Sequence, residues 1–289
     1  MRRHILIRGI VQGVGFRPFV HRLATRRGLA GWVNNATDGV HIEVEGSEAE
    51  LDEFIAALQR EKPAAAEIYS LEFMPVAECG EQNFFIVESE APSSAVPFVS
   101  PDIATCNDCR REIGDPEDRR YRYPFTNCTN CGPRYTIIRQ TPYDRQRTTM
   151  DAFPMCDACQ LEFDDPANRR FHAQPNACPV CGPQYRLVDR QGEAIEQSVG
   201  QDVFCQAREF LQAGKIVAIK GLGGFHLACD AKNESAVSTL RQRKIREDKP
   251  FAVMAGSLAA VRRFCQVSSA EQDLLAGTVR PILLLDKSA

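Results

Sequence analysis

A chain of 289 residues that is 44% apolar and 25% charged, with a net charge of −3, has the composition of a soluble globular protein of two or three domains. That balance excludes a general electrostatic pull toward nucleic acid or an anionic bilayer. No run of about 18 apolar residues occurs, and Met1-Arg2-Arg3 leads into a short strand-like run and a glycine-rich loop, so neither a membrane span nor a secretory signal is expected.

The first ninety residues alternate between the two hydrophobic periods. His4–Arg8 reads as a short strand, and Gly9–Gly15 as a loop punctuated by glycine. Phe16–Arg27 reads as a helix with Phe16, Phe19, Val20 and Leu23 on one face and Gly28 as its stop. Leu29–Asn34 is a predicted strand, and Asp38-Gly39 turns the chain into a second, Val40–Glu45. Ser47 and Glu50 form a capping box for a helix whose apolar face is Leu51, Phe54, Ile55 and Leu58. Two strands follow, near Ile68–Met74 and Phe84–Glu88. The β-α-β-β-α-β order is a ferredoxin-like plan.

The loop is also a candidate site. Residues Gln12, Gly13, Val14, Gly15 and Phe16 place several backbone N–H groups in a side-chain-poor turn that opens a helix, a favourable place for a phosphate. Arg17 follows in the first helical turn, where its planar fork can grip phosphate oxygens. His21, one turn further, is expected to be a surface or packing histidine.

Residues 91–101 are rich in Pro and Ser and read as a linker. An internal duplication then spans residues 102–190. Cys106, Cys109, Cys128 and Cys131 stand in the pattern C-x2-C-x18-C-x2-C, and Cys156, Cys159, Cys178 and Cys181 repeat it fifty positions later. Such knuckles bring two sulfurs each to a tetrahedral ion, so two zinc ions are expected. With every position filled by a thiolate, the sites are structural. The spacing leaves open whether each repeat closes its own site or the repeats exchange knuckles, and it leaves His172 as an alternative ligand. A unit this small needs the metal for much of its folding free energy. Each repeat also carries an Arg-Arg pair, expected to be solvated or bridging. Between Asp102 and Arg190 there are 13 Arg, no Lys and 13 acidic residues, which gives no support to nucleic-acid binding.

A soft junction near Gln191–Gln201 precedes an α/β pattern. Val203–Gln212 is a predicted helix, Ile216–Lys220 a buried strand, Gly221–Gly224 a glycine-rich turn and Ser235–Lys244 a helix. Phe251–Ala255 and Pro281–Leu285 are further predicted strands. Lys244, Arg246 and Lys249 cluster three cations ahead of a strand, a candidate triphosphate clamp.

Three resemblances organise these readings. GIVQGVGFR, with Asn35 eighteen positions after Arg17 in GWVNNATDGV, resembles the acylphosphatase active site. That resemblance implies that Arg17 binds phosphate and Asn35 orients the attacking water. KIREDKP resembles the K-x-R…K-P signature of YrdC-like domains, which implies binding of ATP with Mg and formation of an acyl adenylate. An acylphosphatase domain, tandem C4 zinc modules and a YrdC-like domain, in that order, resemble the HypF family of carbamoyltransferases in NiFe-hydrogenase maturation.

The expected architecture is therefore α+β and multidomain: a ferredoxin-like acylphosphatase-like domain over 1–90, a linker over 91–101, a tandem C4 zinc-finger domain over 102–190 and an incomplete α/β YrdC-like domain over 200–289. The resemblance implies cleavage of carbamoyl phosphate, formation of carbamoyl adenylate with ATP, and transfer to the C-terminal cysteine of HypE in the cytoplasm. The family's S-x-N element and its transferase domain are not in this sequence, so only part of that reaction is expected of it. The alternatives are a plain acylphosphatase with accessory zinc domains and a zinc-stabilised RNA-binding module.

Overall fold

The computed structural model describes residues 1–88, 101–195, 202–221, 223–246 and 248–288. The chain divides into two compact units, Met1–Pro183 and Gln184–Ala289.

The first unit opens with a five-stranded sheet. Its strands are β1 (Arg2–Ile10), β2 (Ala30–Ala36), β3 (Gly39–Glu45), β4 (Glu67–Val76) and β5 (Phe84–Ile86), ordered β4-β1-β3-β2-β5. All neighbours are antiparallel except β2 and β5. Helices α1 (Phe16–Arg26) and α2 (Glu48–Arg60) supply the other half of the core. Alternation along the strands sends Ile5 and Ile7 of β1, and Val40, Ile42 and Val44 of β3, to one fully buried face. Phe16, Val20 and Leu23 of α1 and Leu51, Phe54 and Leu58 of α2 pack into the same core. The helix signals act as read. Gly28, at φ +66°, stops α1, donating its N–H to Thr25 O, while Leu29 N reaches Ala24 O. Ser47 and Glu50 cap α2 reciprocally, Ser47 N reaching the Glu50 carboxylate at 2.9 Å.

The duplicated region completes this unit. Helices α3 (Asn107–Gly114) and α4 (Asp157–Asp164) each start directly after the first cysteine of a repeat, with Cys106 and Cys156 in extended geometry at their N-caps. Short 3-10 turns over 129–152 connect the repeats. Apart from the sulfurs, the buried apolar residues described here are a small cluster of Tyr123, Ile137, Met150 and Ala177, with Tyr143, Phe171 and Ala173 outside it. So little apolar burial leaves the cysteine clusters and the polar network described below to hold the repeats.

The second unit contains α5 (Val203–Gln212), a hairpin of β6 (Val217–Lys220) and β7 (Phe225–Ala228), then α6 (Glu234–Arg243), α7 (Leu258–Val261) and α8 (Ser269–Ala276). Three expectations are corrected here. The Ile216–Lys220 strand is not buried: Ile219 is 40% exposed, because β6 pairs only with β7 among the described residues. Phe251–Ala255 and Pro281–Leu285 are not strands. Their composition favours extended chain, but no described neighbour pairs with them, and strand propensity without a ladder partner does not make a strand. Residues 91–100 of the expected 91–101 linker and residues 196–201 of the second junction lie outside the described residues. No helix among the described residues is long and apolar enough to cross a membrane.

Candidate functional site

The glycine loop stands between β1 and α1. Gly13 and Gly15 have φ of +73° and +76°, a left-handed backbone that an L side chain adopts only with strain. Space forbids one as well: a Cβ on Gly13 would lie 2.6 Å from Pro133 Cβ, and one on Gly15 would lie 2.9 Å from Thr129 Cβ. Val14 and Phe16 bury their side chains in the sheet core, which leaves only backbone from these positions for a ligand. The Gln12 side chain is a strut. Its Nε2 donates to Ala36 O at 2.7 Å, and its Oε1 accepts from Tyr143 N at 3.3 Å.

Arg17, 8% exposed, reaches from the first turn of α1 to Asn35 on β2. With the Asn35 amide oriented so that its oxygen faces the guanidinium, Oδ1 accepts from Arg17 Nε at 3.0 Å and from Nη2 at 3.1 Å. The two residues and the loop line one cavity. Its opposite wall comes from the duplicated region: Asn127, Thr129, Tyr143, His172 and Gln174. Asp144 also enters, accepting from Arg17 Nη2 at 2.8 Å. Sequence reasoning found Arg17, Asn35 and the loop but none of this wall, since each wall residue lies about a hundred positions or more along the chain from Arg17.

Both histidines singled out from the sequence are now placed. His21 packs edge-on against Phe84 and Phe171. His172 is not with the cysteines; it lies between Phe163 and Phe171 and lines the cavity. Burial, then the nearby Arg17 charge, pushes its imidazole down to about 4, so it is neutral at pH 7.

The eight cysteines form two clusters, and each repeat closes its own: Cys106, Cys109, Cys128 and Cys131 in one, Cys156, Cys159, Cys178 and Cys181 in the other. A tetrahedral zinc with bonds of about 2.3 Å needs sulfurs about 3.8 Å apart. Here Cys106–Cys128 and Cys128–Cys131 are 3.6 and 3.9 Å apart, and Cys156–Cys178, Cys178–Cys181 and Cys159–Cys181 are 3.8, 3.8 and 3.6 Å. Both clusters fit a zinc ion, and neither keeps a coordination position for water.

What the repeats exchange is not knuckles but arginines. Arg119 and Arg120 of the first repeat reach the second, where Arg119 Nη2 donates to Cys159 Sγ at 3.2 Å and both pair with Glu162. Arg169 and Arg170 of the second reach back, where Arg169 Nη1 donates to Cys109 Sγ at 3.0 Å and both pair with Glu112. The reciprocity extends to the backbone: Arg120 Nε donates to Ala177 O, and Arg170 Nε to Asn127 O. A four-thiolate zinc site carries two net negative charges, and these guanidiniums offset it from outside the ligand shell. The Arg-Arg pairs are thus bridging, and Arg120 and Arg170 are buried at 1% and 3% exposure.

In the second unit Lys244 follows the end of α6, and Lys249 lies in an exposed turn. Arg246 folds onto the backbone between them and Phe251, donating to Lys249 O at 3.0 Å and Pro250 O at 2.7 Å. Arg241, which sequence reasoning passed over, joins it: both guanidiniums lie over the Phe251 ring, at 4.8 and 5.1 Å. Arg246 and Arg241 are thus gathered on Phe251, with Lys244 and Lys249 nearby in sequence.

Comparison with known proteins matches this architecture. The acylphosphatase family model matches residues 3–86, the HypF finger model residues 105–138 and 155–188, and the Sua5/YciO/YrdC model, described as telomere recombination, residues 209–289. Carbamoyltransferase HypF2 of Cupriavidus necator is 53% identical over 289 residues, covering 99% of this chain and 35% of that protein. An acylphosphatase of Moorella thermoacetica is 44% identical over 90 residues, 31% of this chain and 96% of that protein. A crystal structure of full-length HypF in the phosphate- and nucleotide-bound form has a TM-score of 0.92 at 46% identity, covering 99% of this chain and 37% of that one. The chain thus spans about a third of the length of the HypF relatives it matches. With the three family models matched in this order and about half of its residues shared with HypF along almost its whole length, the chain belongs to the HypF carbamoyltransferase family.

Proposed function

We propose that the Arg17–Asn35 cavity cleaves carbamoyl phosphate as the first step of carbamoyl transfer. The observation that carries this reading is the buried guanidinium held by Asn35 beside a left-handed glycine loop at a helix start. Arg17 and the N–H groups of 12–16 take the phosphoryl oxygens, and Asn35 orients water toward phosphorus. The water oxygen–phosphorus bond forms, the water's proton passes to a phosphoryl oxygen, the bond from phosphorus to the acyl oxygen breaks, and carbamate leaves with that electron pair. A mixed anhydride is already activated, so positioning and charge stabilisation suffice without a buried acid or base.

Carbamate decomposes in water, and shielding it favours immediate use. In this reading the 200–289 segment adenylates it with ATP and Mg, with Lys244, Arg246 and Lys249 at the phosphates. A HypF relative whose structure is in the phosphate- and nucleotide-bound form is consistent with use of both ligands. The carbamoyl group then passes to the C-terminal cysteine of HypE in the cytoplasm, on the way to hydrogenase cyanide ligands, a step that falls to regions of the HypF relatives that this chain does not span. The two zinc ions hold the repeats that wall the first site and take no chemical step.

The test is hydrolysis of carbamoyl phosphate by this chain and by Arg17→Ala. The variant is expected to lose at least about a hundredfold in kcat/KM, the scale of removing a charge-stabilising donor, while keeping two zinc ions. Activity close to that of the unaltered chain would sink the assignment. Pyrophosphate exchange with ATP that depends on carbamoyl phosphate tests the second station separately.

A further inference from the structure

The cavity wall contains a side chain with no structural work to do. Asn127 is 3% exposed, lines the same cavity as Arg17 and Asn35, and has neither Nδ2 nor Oδ1 hydrogen-bonded among the described residues. Its polar neighbours on the wall are used. Gln174 donates to His172 O at 2.7 Å and accepts from Arg145 N at 2.8 Å, and Thr129 Oγ1 donates to Arg169 O at 3.1 Å. A buried amide with neither end paired is destabilising unless a ligand or water takes it up.

The duplication shows that the scaffold does not need this amide. Position 127 of the first repeat corresponds to 177 of the second, each just before the third cysteine. Both do the same structural task through their backbone carbonyls, which accept from Arg170 Nε and Arg120 Nε. Residue 177 is alanine and fully buried. Only the copy that faces the phosphate cavity carries an amide.

Resting on the reading of the Arg17–Asn35 site as a carbamoyl phosphate site, we propose that Asn127 is a specificity-determining residue that reads the carbamoyl amide. A carbamoyl group presents N–H donors and a carbonyl acceptor in one plane, and an asparagine side chain offers the complementary pair. Asn127 Oδ1 accepts from the carbamoyl nitrogen, and Nδ2 donates to the carbonyl oxygen. Acetyl phosphate puts a methyl where the N–H should be and leaves Oδ1 unpaired, so the site selects against it. A zinc repeat thereby becomes the part of the protein that distinguishes a carbamoyl phosphate from other acyl phosphates.

The experiment compares hydrolysis of carbamoyl phosphate and acetyl phosphate by the full chain, by Asn127→Ala, which copies the second repeat, and by Asn127→Leu, which keeps the volume and removes both polar atoms. The expected result is a loss of roughly tenfold to a hundredfold in kcat/KM for carbamoyl phosphate in both variants. Acetyl phosphate should change by less than about threefold, with zinc at two ions per chain. Equal losses on both substrates, or no loss on carbamoyl phosphate, overturn the proposal while the Arg17–Asn35 reading stands. If the unaltered chain cleaves neither compound, that reading fails and this one falls with it.

Discussion

The crossed arginines permit a quantitative prediction. Arg120→Met keeps much of the side-chain volume but removes a 1% exposed guanidinium that spans the two repeats. It withdraws donors from Glu162 at 3.0 and 2.5 Å, from Asn176 Oδ1 at 3.0 Å and from Ala177 O at 3.0 Å. Removing one partner from a buried ion pair typically costs about 3–5 kcal/mol. Glu162 would keep Arg119 at 2.7 Å and Arg170 at 3.6 Å, which places the expected loss at the lower end, about 3 kcal/mol. Proton linkage reports on the whole arginine set around Glu162 and not on Arg120 alone. Burial alone would raise the Glu162 carboxyl, yet Arg120, then Arg170 and Arg119, more than reverse this and hold it at about 2. Relative to an ordinary glutamate near 4.3, that corresponds to about 3 kcal/mol, present above that ordinary value and lost as pH falls toward 2. The assay is denaturant unfolding at fixed free zinc, paired with the rate of zinc release to a coloured chelator. The variant should unfold at lower denaturant and release zinc from the second repeat faster. Because Arg120 and Glu162 share the interaction, adding Glu162→Gln should cost less than the sum of the two single changes. A loss below about 1 kcal/mol, the range of an exposed pair, with unchanged zinc release, would refute the view that the crossed pairs hold the repeats together.

Two further outcomes follow from the cavity. Asp144 competes for Arg17 at 2.8 Å, so Asp144→Asn should tighten inhibition by inorganic phosphate several-fold, by about 1 kcal/mol; an unchanged or weaker inhibition constant would exclude that competition. His172 is held neutral with its imidazole at about 4, so the unfolded chain binds more protons between about 6.5 and 4 and stability falls as pH drops through that window. His172→Gln should flatten the stability–pH curve between those values, measured by thermal unfolding, and an unaltered slope would show that this histidine is not the group responsible.

The sequence was most informative where the physics is local. Helix α1 with its glycine stop, the Ser47–Glu50 box and the strands β1 and β3 depend on spacings of a few residues, and the structure reproduces them. The C-x2-C knuckles are equally local. Where the sequence misled, partners were at issue. Phe251–Ala255 and Pro281–Leu285 have strand composition but no described ladder partner, and Ile216–Lys220 is apolar enough to be buried but gains only a two-stranded pairing.

The cysteine spacing by itself pointed to two zinc sites, and the glycine loop with Arg17 pointed to a place for an anion. Neither requires knowledge of what lies across space, because a knuckle and a helix start are built from consecutive residues. Tertiary structure alone decided that each repeat closes its own cluster and that arginines 40 to 60 positions away brace it. It alone brought Asp144 to Arg17 across 127 positions and Asn127 and His172 to the same cavity. These are long-range pairings selected by packing of the whole first unit, and no periodicity in the chain encodes them. The two repeats differ at many positions, asparagine against alanine at 127 and 177 and histidine against arginine at 172 and 122 among them. At both positions the copy carrying asparagine or histidine lines the Arg17–Asn35 cavity, but only the folded chain separates these differences from the others.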